Sequence, residues 1–501
     1  IAGSDWSSDV CSSDLGNSTV SDARNITLVM DFYELTMSYD YFKQGKKDEI
    51  AYFDMFYRKN PDNGGYVIMA GLQQLIEAIK DMHFSKGDID YLRTLNMFDE
   101  EFLSYLADFK FDGTIWAVPE GTPVFPYEPL VTVKGKLIEA QLLETFLLVT
   151  INHQSLIATK THRIVQEAKG RPVMEFGARR AQGYDGATYG ARAAYIGGAA
   201  GTATVSAGKA FGIPVLGTMA HSFVQSFDTE YDAFKAYAEI YPDSCILLVD
   251  TYDTLKSGIP NAIRVAEEVL QPMGKTLAGI RIDSGDIAYL TKKARMMLDV
   301  AGLTNTKISI SNSLDEYLIR SVLEQGARID SFGVGENMIT SKSSPVFGGV
   351  YKMAAMEKDG QIVPKIKISE NKEKITNPGY KKVYRLIENE TNKAIADIVM
   401  FADETIDPEK NLTIYSQYDK WKNKTLIGGS YTFFELQKPV FVDGECVYEE
   451  KTLEEIRENV KKQGTLLWDE IFRLEYPHAY YVDLSERLID YKLKMLEEKR
   501  G

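Results

Sequence analysis

Cysteine and histidine are both scarce in this sequence, with 3 cysteines and 5 histidines among 501 residues. Cys11, Cys245 and Cys446 lie far apart, and no two cysteines form a Cys-x-x-Cys pair. This spacing excludes a disulfide framework and a zinc site built from neighbouring residues. Such sparing use of cysteine is typical of a reducing compartment, so we expect a cytoplasmic protein.

Long apolar runs and an excess of positive charge are also missing. A membrane-spanning helix needs roughly 20 consecutive apolar residues, and the sequence contains no such run. The formal net charge of −15 argues against nucleic acid and against an anionic membrane surface as partners. Small phosphorylated ligands stay compatible with this charge, because they need only a local basic pocket.

The first 20 residues differ in composition from the rest of the chain. They have neither a basic segment nor an apolar core, so they do not resemble a secretory signal, and the strings SSDV and SSDL repeat within them. We interpret 1–20 as a disordered leader or a cloning or sequencing scar. The remaining chain is long and apolar enough to bury a large core in two or more domains.

A regular alternation of apolar runs and helical patterns begins near residue 172. Neighbouring runs from Ile213 to Ile308 start about 30 residues apart, which is the length of a βα unit. The runs are Pro172–Phe176, Ile213–Leu216, Cys245–Val249, Leu277–Ile282, Ile308–Ile310 and Ile329–Gly333. A series of βα units predicts a parallel sheet. We therefore predict an α/β protein containing an irregular, TIM-like α/β barrel.

This change in the sequence pattern divides the chain into three predicted globular regions. An N-terminal α+β domain is predicted over 21–145, and the barrel with the active site over 146–355. The region 356–501 returns to strands with Gly, Asn and Lys turns, followed by a charged helix. We expect it to pack on the N-terminal domain or to complete it.

Polar side chains follow the predicted strands, at the face where ligands bind in a parallel α/β barrel. Arginine suits bidentate capture of carboxylate or phosphate, and glycine-bearing loops let backbone N–H groups approach phosphate. Aspartate can bind ribose hydroxyls or the waters of a phosphate-bound Mg²⁺. The candidates are Arg179, Arg180, His221, Ser222, Asp250, Arg281, Asp283, Ser284, Gly333, Gly335, Glu336, Gly348 and Gly349. Together they predict a site for an anionic, sugar-like ligand.

Each candidate also has a purely structural interpretation. Arg179 and Arg180 could form surface salt bridges, and Asp250 or Asp253 could cap a helix. In the string DSGD, Ser284 or Asp286 could cap the next helix without losing a role in ligand binding. His221 follows an apolar run and could act as a nucleophile or general base, or be held by a neighbouring carbonyl.

Seven strings, in one order along the chain, identify a family. They are DFYELTM at 31–37, EFGARRAQG at 175–183, YIGGAAGTATVSAGKAFGIPVLGTMAHSFV at 195–224, LLVDTYDT at 247–254, GIRIDSGD at 279–286, SNSLDE at 311–316 and FGVGENM at 332–338. The sequence resembles nicotinate phosphoribosyltransferases from about residue 25 to beyond GGVYKM at 348–353. The tail to about residue 490 is compatible with this family but less distinctive.

The resemblance implies a type II phosphoribosyltransferase, usually a homodimer with the active site shared across the interface. The implied reaction joins nicotinate to 5-phosphoribosyl 1-diphosphate and gives nicotinate mononucleotide and diphosphate. ATP hydrolysis is coupled to this transfer, and Mg²⁺ is the implied cofactor.

The resemblance also implies individual roles. His221 would be transiently phosphorylated by ATP. Arg281 would face the carboxylate of nicotinate, with Thr218 beside it, and Tyr33 would stack on the ring from the other subunit. The phosphoribosyl group would involve Arg179, Arg180, Ser222, Ser284, Gly333, Gly335, Gly348 and Gly349, with Asp250 and Asp283 at the ribose hydroxyls and, through water, at Mg²⁺. Glu336 stands where relatives carry a small hydroxyl residue.

Four other functions are weighed against this one. A nicotinamide-specific relative carries an aspartate at the position of Ala203, which favours the acid over the amide here. A quinolinate enzyme would need more cations and is much shorter. An aldolase or isomerase would need a lysine or a carboxylate base at a strand end, and no predicted strand ends in lysine. A silent metabolite-binding protein would not need to keep His221, Arg281 and Asp283 together.

Overall fold

The computed structural model describes residues 25–500, so the predicted leader at 1–20 lies outside the described residues. The described chain is a mixed α/β protein. It contains a central antiparallel sheet of seven strands, a parallel sheet of six and a C-terminal sheet of six. Val67–Ile68 and Pro123–Val124 form a separate two-stranded pair.

Segments from both ends of the described chain form the central antiparallel sheet. The run from Ile50 predicts a half-buried strand, yet Ala51 to Phe56 are all buried, so both faces of this strand are covered. In spatial order the strands are Gln361–Pro364, Val350–Lys358, Ile50–Phe56, Val131–Lys136, Thr114–Ala117, Lys438–Val442 and Glu445–Cys446. The sheet does not test the domain boundaries predicted from the sequence, so these boundaries stay predictions.

Two helices of the N-terminal region, Leu137–Gln141 and Glu144–Glu167, pack on this sheet, and the other helices pack mainly on one another. The sequence from Tyr66 to Met82 has helical spacing and predicts a helix. The helix is Leu72–Asp81, which buries one apolar face, whereas Val67–Ile68 before it form a short strand. The helices of this region are Phe32–Lys43, Leu72–Asp81, Lys86–Thr94, Glu100–Ala107, Leu137–Gln141 and Glu144–Glu167, with a 3₁₀ turn at Pro61–Asn63.

The parallel sheet contains the predicted βα units. Its strands, in spatial order, are Gly201–Thr202, Val173–Glu175, Ser331–Val334, Lys307–Ile310, Gly279–Ile282 and Ile246–Leu248. All five pairings are parallel. A parallel bridge adds Val215 beside Thr202. Within residues 25–500 no strand pairing joins Val215 to Ile246–Leu248, so a closed barrel is not confirmed.

Helices and turns connect these parallel strands. They are Ala178–Arg180 (3₁₀), Gly183–Ile196, Val205–Phe211, His221–Gln225, Glu230–Ile240, Thr254–Gly258 (π), Ile259–Val265, Ala266–Leu270 (π), Gln271–Met273 (3₁₀), Ile287–Val300, Glu316–Glu324 and Glu336–Ile339. This arrangement places the polar residue that follows each strand at one edge of the sheet.

A buried arginine ties the C-terminal sheet to the N-terminal part of the chain. Arg385 is fully buried, makes a two-point ion pair with Asp397, and donates to the Pro123 carbonyl over 2.9 Å. The strands of the sheet, in spatial order, are Asn423–Leu426, Leu412–Tyr415, Val482–Leu484, Ala394–Phe401, Lys381–Glu388 and Tyr431–Glu435. Helices Leu453–Thr465 and Glu486–Arg500 and 3₁₀ turns Lys372–Lys374 and Asp469–Phe472 accompany it.

No helix in the described part of the chain combines the length and the apolar character needed to cross a membrane.

Candidate active site

A cavity of about 540 Å³ lies at the carboxyl edge of the parallel sheet. Residues from the ends of several strands line it, as expected where parallel strands deliver their following loops to one edge. The predicted site residues among them are Arg179, Arg180, Thr218, Arg281, Asp283, Gly333, Gly335 and Glu336. The structure therefore brings together candidates that are up to about 160 positions apart in the sequence.

Arg281 is held in place by hydrogen bonds from three sides of the cavity. Its Nε donates to Ser311 Oγ over 2.6 Å, and Nη1 lies 3.2 Å from both Thr218 Oγ1 and the Met219 carbonyl. Nη2 donates to Asp283 Oδ1 over 2.9 Å. Because the guanidinium is planar and its donors are fixed in a fork, these bonds set its orientation toward a ligand.

The same Asp283 carboxylate faces His221. Its Oδ2 lies 3.8 Å from His221 Nε2, and the other ring nitrogen, Nδ1, is 3.1 Å from Thr251 Oγ1. His221 is the first residue of a short helix and directly follows Ala220, which lines the cavity. The imidazole therefore stands at the rim of the cavity, with one nitrogen at a hydroxyl and the other at a carboxylate. Ser222, the next residue, is exposed.

Asp250 shapes the loop that carries Asp283. Its Oδ2 accepts from the Asp283 backbone N–H over 2.9 Å and from Ser284 Oγ over 2.6 Å. Its Oδ1 is buried and has no hydrogen-bond partner within the described residues. Ser284 thus bonds to Asp250, while Asp286 caps the helix that follows. Residues 25–500 hold no group of three or more His, Cys, Asp or Glu side chains that could bind a metal ion by themselves.

Two exposed arginines and a carboxylate form another part of the cavity rim. Arg179 and Arg180 occupy the 3₁₀ turn after the strand Val173–Glu175. Glu336 lies 3.7 Å from Arg180 Nε through Oε2 and 2.7 Å from Lys342 Nζ through Oε1. The hydrogen bond from Lys342 is the main cause that lowers the pKa of Glu336 below its usual value. This rim therefore carries charges of both signs at neutral pH.

The glycines at this edge allow close contacts. A Cβ atom on Gly333 would lie 2.5 Å from the ring of Phe176, and one on Gly335 would lie 3.1 Å from the Phe176 carbonyl. Any side chain at Gly333 would thus displace the Phe176 ring, because real Cβ atoms do not approach so closely.

Other predicted residues lie away from the cavity lining. Gly348 has a φ of +74°, and a Cβ on Gly349 would meet Asn152 Oδ1. Tyr33 is in the helix Phe32–Lys43 with 44% of its surface exposed. Burial and the nearby Glu144 raise the pKa of Tyr33. The structure of one chain does not bring these three residues to the cavity.

Several lining residues were not singled out from the sequence. Phe176 lies under Arg281, with the guanidinium carbon 5.7 Å from the ring centre. Ser311, which bonds to Arg281, was likewise not predicted. Asn337, which follows the predicted strand together with Glu336, donates to the Ser313 and Leu314 carbonyls and orders the adjoining loop. The position of Phe176 directly after the strand Val173–Glu175 was the available signal, but an aromatic residue at a strand end is usually part of the core.

Three family descriptions match the chain. Residues 28–152 match the nicotinate phosphoribosyltransferase (NAPRTase) N-terminal domain, 172–405 the nicotinate phosphoribosyltransferase (NAPRTase) family and 380–492 the nicotinate phosphoribosyltransferase C-terminal domain. The chain is 42% identical over 477 residues to a nicotinate phosphoribosyltransferase of Bacillus subtilis, covering 95% of this chain and 96% of that protein. A relative of that name from Caenorhabditis elegans is 36% identical over 525 residues, covering 93% and 92%.

Among solved structures, the crystal structure of human nicotinic acid phosphoribosyltransferase is similar to this fold. It superimposes with a TM-score of 0.82 and 27% identity, covering 94% of this chain and 100% of the human chain. The likeness therefore extends over nearly the whole described molecule.

Proposed function

Because the chain belongs to the nicotinate phosphoribosyltransferase family and is an enzyme of this type, we propose that its cavity transfers a phosphoribosyl group to nicotinate with the help of ATP. The products would be nicotinate mononucleotide and diphosphate, a step of NAD salvage. The observation that carries the proposal is the position of the Asp283 carboxylate, which accepts a hydrogen bond from Arg281 over 2.9 Å and faces His221 Nε2 at 3.8 Å. It puts a carboxylate-binding cation and a phosphoryl-accepting imidazole on the same rim.

Arg281 and Phe176 suit the recognition of nicotinate. Four hydrogen bonds within the protein hold the Arg281 guanidinium, which leaves its positive charge and one N–H of Nη2 for a carboxylate. Phe176 offers an aromatic surface beneath the guanidinium. Ala203 also lines the cavity and brings no charge to it. A carboxylate at this position would repel nicotinate, so the cavity favours the acid over the amide.

The part of the rim formed by Arg179 and Arg180 suits the phosphoribosyl donor. Arg179 and Arg180 provide cations for phosphate oxygens, and the half-buried Gly335 presents its backbone to the cavity there. Gly333 lines the cavity as well but is buried against the Phe176 ring. Asp250 has one buried oxygen without a partner, which fits a role toward ribose hydroxyls or toward water around Mg²⁺. Mg²⁺ keeps several waters and is bound through one or two carboxylates and phosphates, so Asp250 and Asp283 suffice as its protein side.

The transfer itself needs positioning more than a strong base. The bond from ribose C1 to the diphosphate oxygen breaks and its electrons leave with diphosphate, while the lone pair of the pyridine nitrogen forms the new C1–N bond. Cations placed where negative charge grows on the leaving group stabilise the transition state. Bound Mg²⁺ would add positive charge at that group, and Arg179 and Arg180 supply the protein's own contribution.

His221 is assigned to the ATP-dependent part of the reaction. With Nδ1 protonated and donating to Thr251, the lone pair lies on Nε2 and can accept the γ-phosphoryl group as ADP leaves. Phosphorylation would add a charge of about −1.5 to −2 beside Asp283 and the arginines. Water later takes the phosphoryl group from His221, which resets the enzyme.

A homodimer and a cytoplasmic location complete the proposal. Tyr33 lies outside the lining of the cavity of its own chain, and Tyr33, Phe32 and Val29 are each more than two-fifths exposed at the start of the N-terminal helix. This apolar surface supports docking against a second copy, where Tyr33 would enter the partner's cavity. The sparse cysteines support the cytoplasm.

The test is nucleotide formation from 5-phosphoribosyl 1-diphosphate and Mg²⁺, with nicotinate or nicotinamide, each with and without ATP. We expect product from nicotinate and a higher rate with ATP. Product from nicotinamide alone would overturn the assignment of Ala203 and Arg281. No product from either base would contradict the proposed activity.

A further inference from the structure

Glu336 is a carboxylate among the cations proposed to bind phosphate. It lines the cavity together with Arg179 and Arg180, and its two oxygens lie 2.7 Å from Lys342 Nζ and 3.7 Å from Arg180 Nε. Since Lys342 lowers the pKa of Glu336, this carboxylate is ionised at neutral pH. An incoming phosphate would meet cations that already have a counter-ion.

The contacts of Glu336 are exposed and therefore easy to exchange. The side chains of Glu336, Arg180 and Lys342 are 41%, 63% and 62% exposed. Ion pairs with this exposure contribute little to stability, because water and salt screen them. Glu336 thus is better suited to compete with a ligand than to hold the fold together.

We propose that Glu336 is a resident counter-ion of the Arg180–Lys342 pair, which weakens the binding of phosphorylated ligands at this rim and favours release of diphosphate. The inference rests on the proposed function, because it assigns the rim to phosphate groups. Diphosphate must break or share the contacts of Glu336 and also experiences its negative charge. Once Glu336 is displaced, Lys342 becomes available as a further phosphate contact.

The substitution Glu336→Gln tests this role with little change of shape. The amide can still accept a hydrogen bond from Lys342, but the negative charge is gone. Glu445→Gln makes the same change of charge in an exposed strand of the central antiparallel sheet, away from the cavity lining. Isothermal titration calorimetry with inorganic diphosphate and Mg²⁺ gives the dissociation constant for each protein at low and at high salt.

We expect Glu336→Gln to bind diphosphate about five-fold more tightly than the native protein at low salt. This gain in affinity should shrink at roughly 0.5 M salt, because screening weakens the effect of the charge. Glu445→Gln should bind like the native protein. A purely structural role of Glu336 would not produce a salt-dependent gain in affinity.

A second pair of variants tests the part assigned to Lys342. Lys342→Met should weaken diphosphate binding more in the Glu336→Gln background than in the native one, because Lys342 is then free to contact phosphate. Equal or weaker binding by Glu336→Gln, while the native protein binds diphosphate, would overturn the counter-ion role and leave the proposed function intact. Absence of diphosphate binding by every variant and by the native protein would contradict both.

Discussion

Asp283 Oδ2 lies 3.8 Å from His221 Nε2. The two residues are on different loops at the edge of the parallel sheet, because Asp283 follows the strand Gly279–Ile282 and His221 follows the bridge at Val215. The other oxygen of the carboxylate accepts a hydrogen bond from Arg281 over 2.9 Å. A phosphoryl group on Nε2 would place negative charge against Asp283 and force this carboxylate to rearrange. Because Asp283 also orients Arg281, phosphorylation of His221 would change the position of Arg281, where nicotinate is proposed to bind.

Arg281→Lys should raise the KM for nicotinate about ten-fold or more, with a smaller effect on kcat. Lysine keeps the charge but not the planar fork that four hydrogen bonds now orient. Steady-state kinetics with varied nicotinate measures this. Arg264→Lys, in an exposed pair with Glu268 on an outer helix, is the matched control. A KM within two-fold of the native value would contradict the role of Arg281.

Ala203→Asp should reduce kcat/KM for nicotinate about ten-fold or more and raise the relative use of nicotinamide. The new carboxylate would repel the substrate carboxylate and can accept a hydrogen bond from an amide. The ratio of kcat/KM for the two bases is the readout, and Ala203→Asn controls for size. An unchanged ratio in both variants would show that Ala203 does not face the pyridine.

Gly333→Ala should lower kcat/KM about ten-fold or more, because the added methyl group would push the Phe176 ring aside. Gly87→Ala, in an exposed helix where the added Cβ meets only Ser85 Oγ at 3.7 Å, is the control. Kinetics and thermal unfolding of both variants separate a displaced ring from loss of folding. Native kinetics in Gly333→Ala would mean that Phe176 does not contact substrate.

Glu34 makes stability depend on pH. Burial raises its pKa from 4.5 to about 7, and its Oε2 is buried without a hydrogen-bond partner among the described residues. Between these values the unfolded carboxyl loses its proton while the folded one keeps it. The contribution of Glu34 to the free energy of unfolding therefore falls as pH rises through this window, by at most about 3 kcal/mol. Above the window this contribution no longer changes with pH.

Glu34→Gln should remove this part of the pH dependence. The amide oxygen can still accept from Thr145 and from the Asp31 N–H. Urea unfolding at several pH values between roughly 5 and 8 measures the slope, with the exposed Glu390→Gln as control. The same slope in Glu34→Gln as in the native protein would contradict the raised pKa of Glu34.

The sequence predicts strands well where apolar runs are long and less well elsewhere. The run at Leu277 becomes the strand Gly279–Ile282, but Gly201–Thr202 has only two residues and no apolar side chain to reveal it. The run Ile213–Leu216 contributes only a bridge at Val215. Pro214 has no N–H to donate, so a continuous ladder cannot form there.

The site was predictable to the extent that it depends on strand order. Arg281, Asp283 and Thr218 each follow or end a parallel strand or its bridge, so the topology alone brings them to one edge. Phe176 was missed because an apolar residue at a strand end has the same pattern as a core residue. The contacts of Gly349 with Asn152 depend on how the helix Glu144–Glu167 packs, which no local pattern specifies.

The most direct test of the central claim, that His221 carries phosphate from ATP during the transfer, is to locate that phosphate. The native protein is incubated with ATP labelled at the γ-phosphate and Mg²⁺, and the labelled peptide is identified before and after adding nicotinate and 5-phosphoribosyl 1-diphosphate. We predict an acid-labile label on His221 that disappears as nucleotide forms, is absent in His221→Ala and is kept in His83→Ala. A label that persists in His221→Ala, or full ATP stimulation of that variant, would contradict the account.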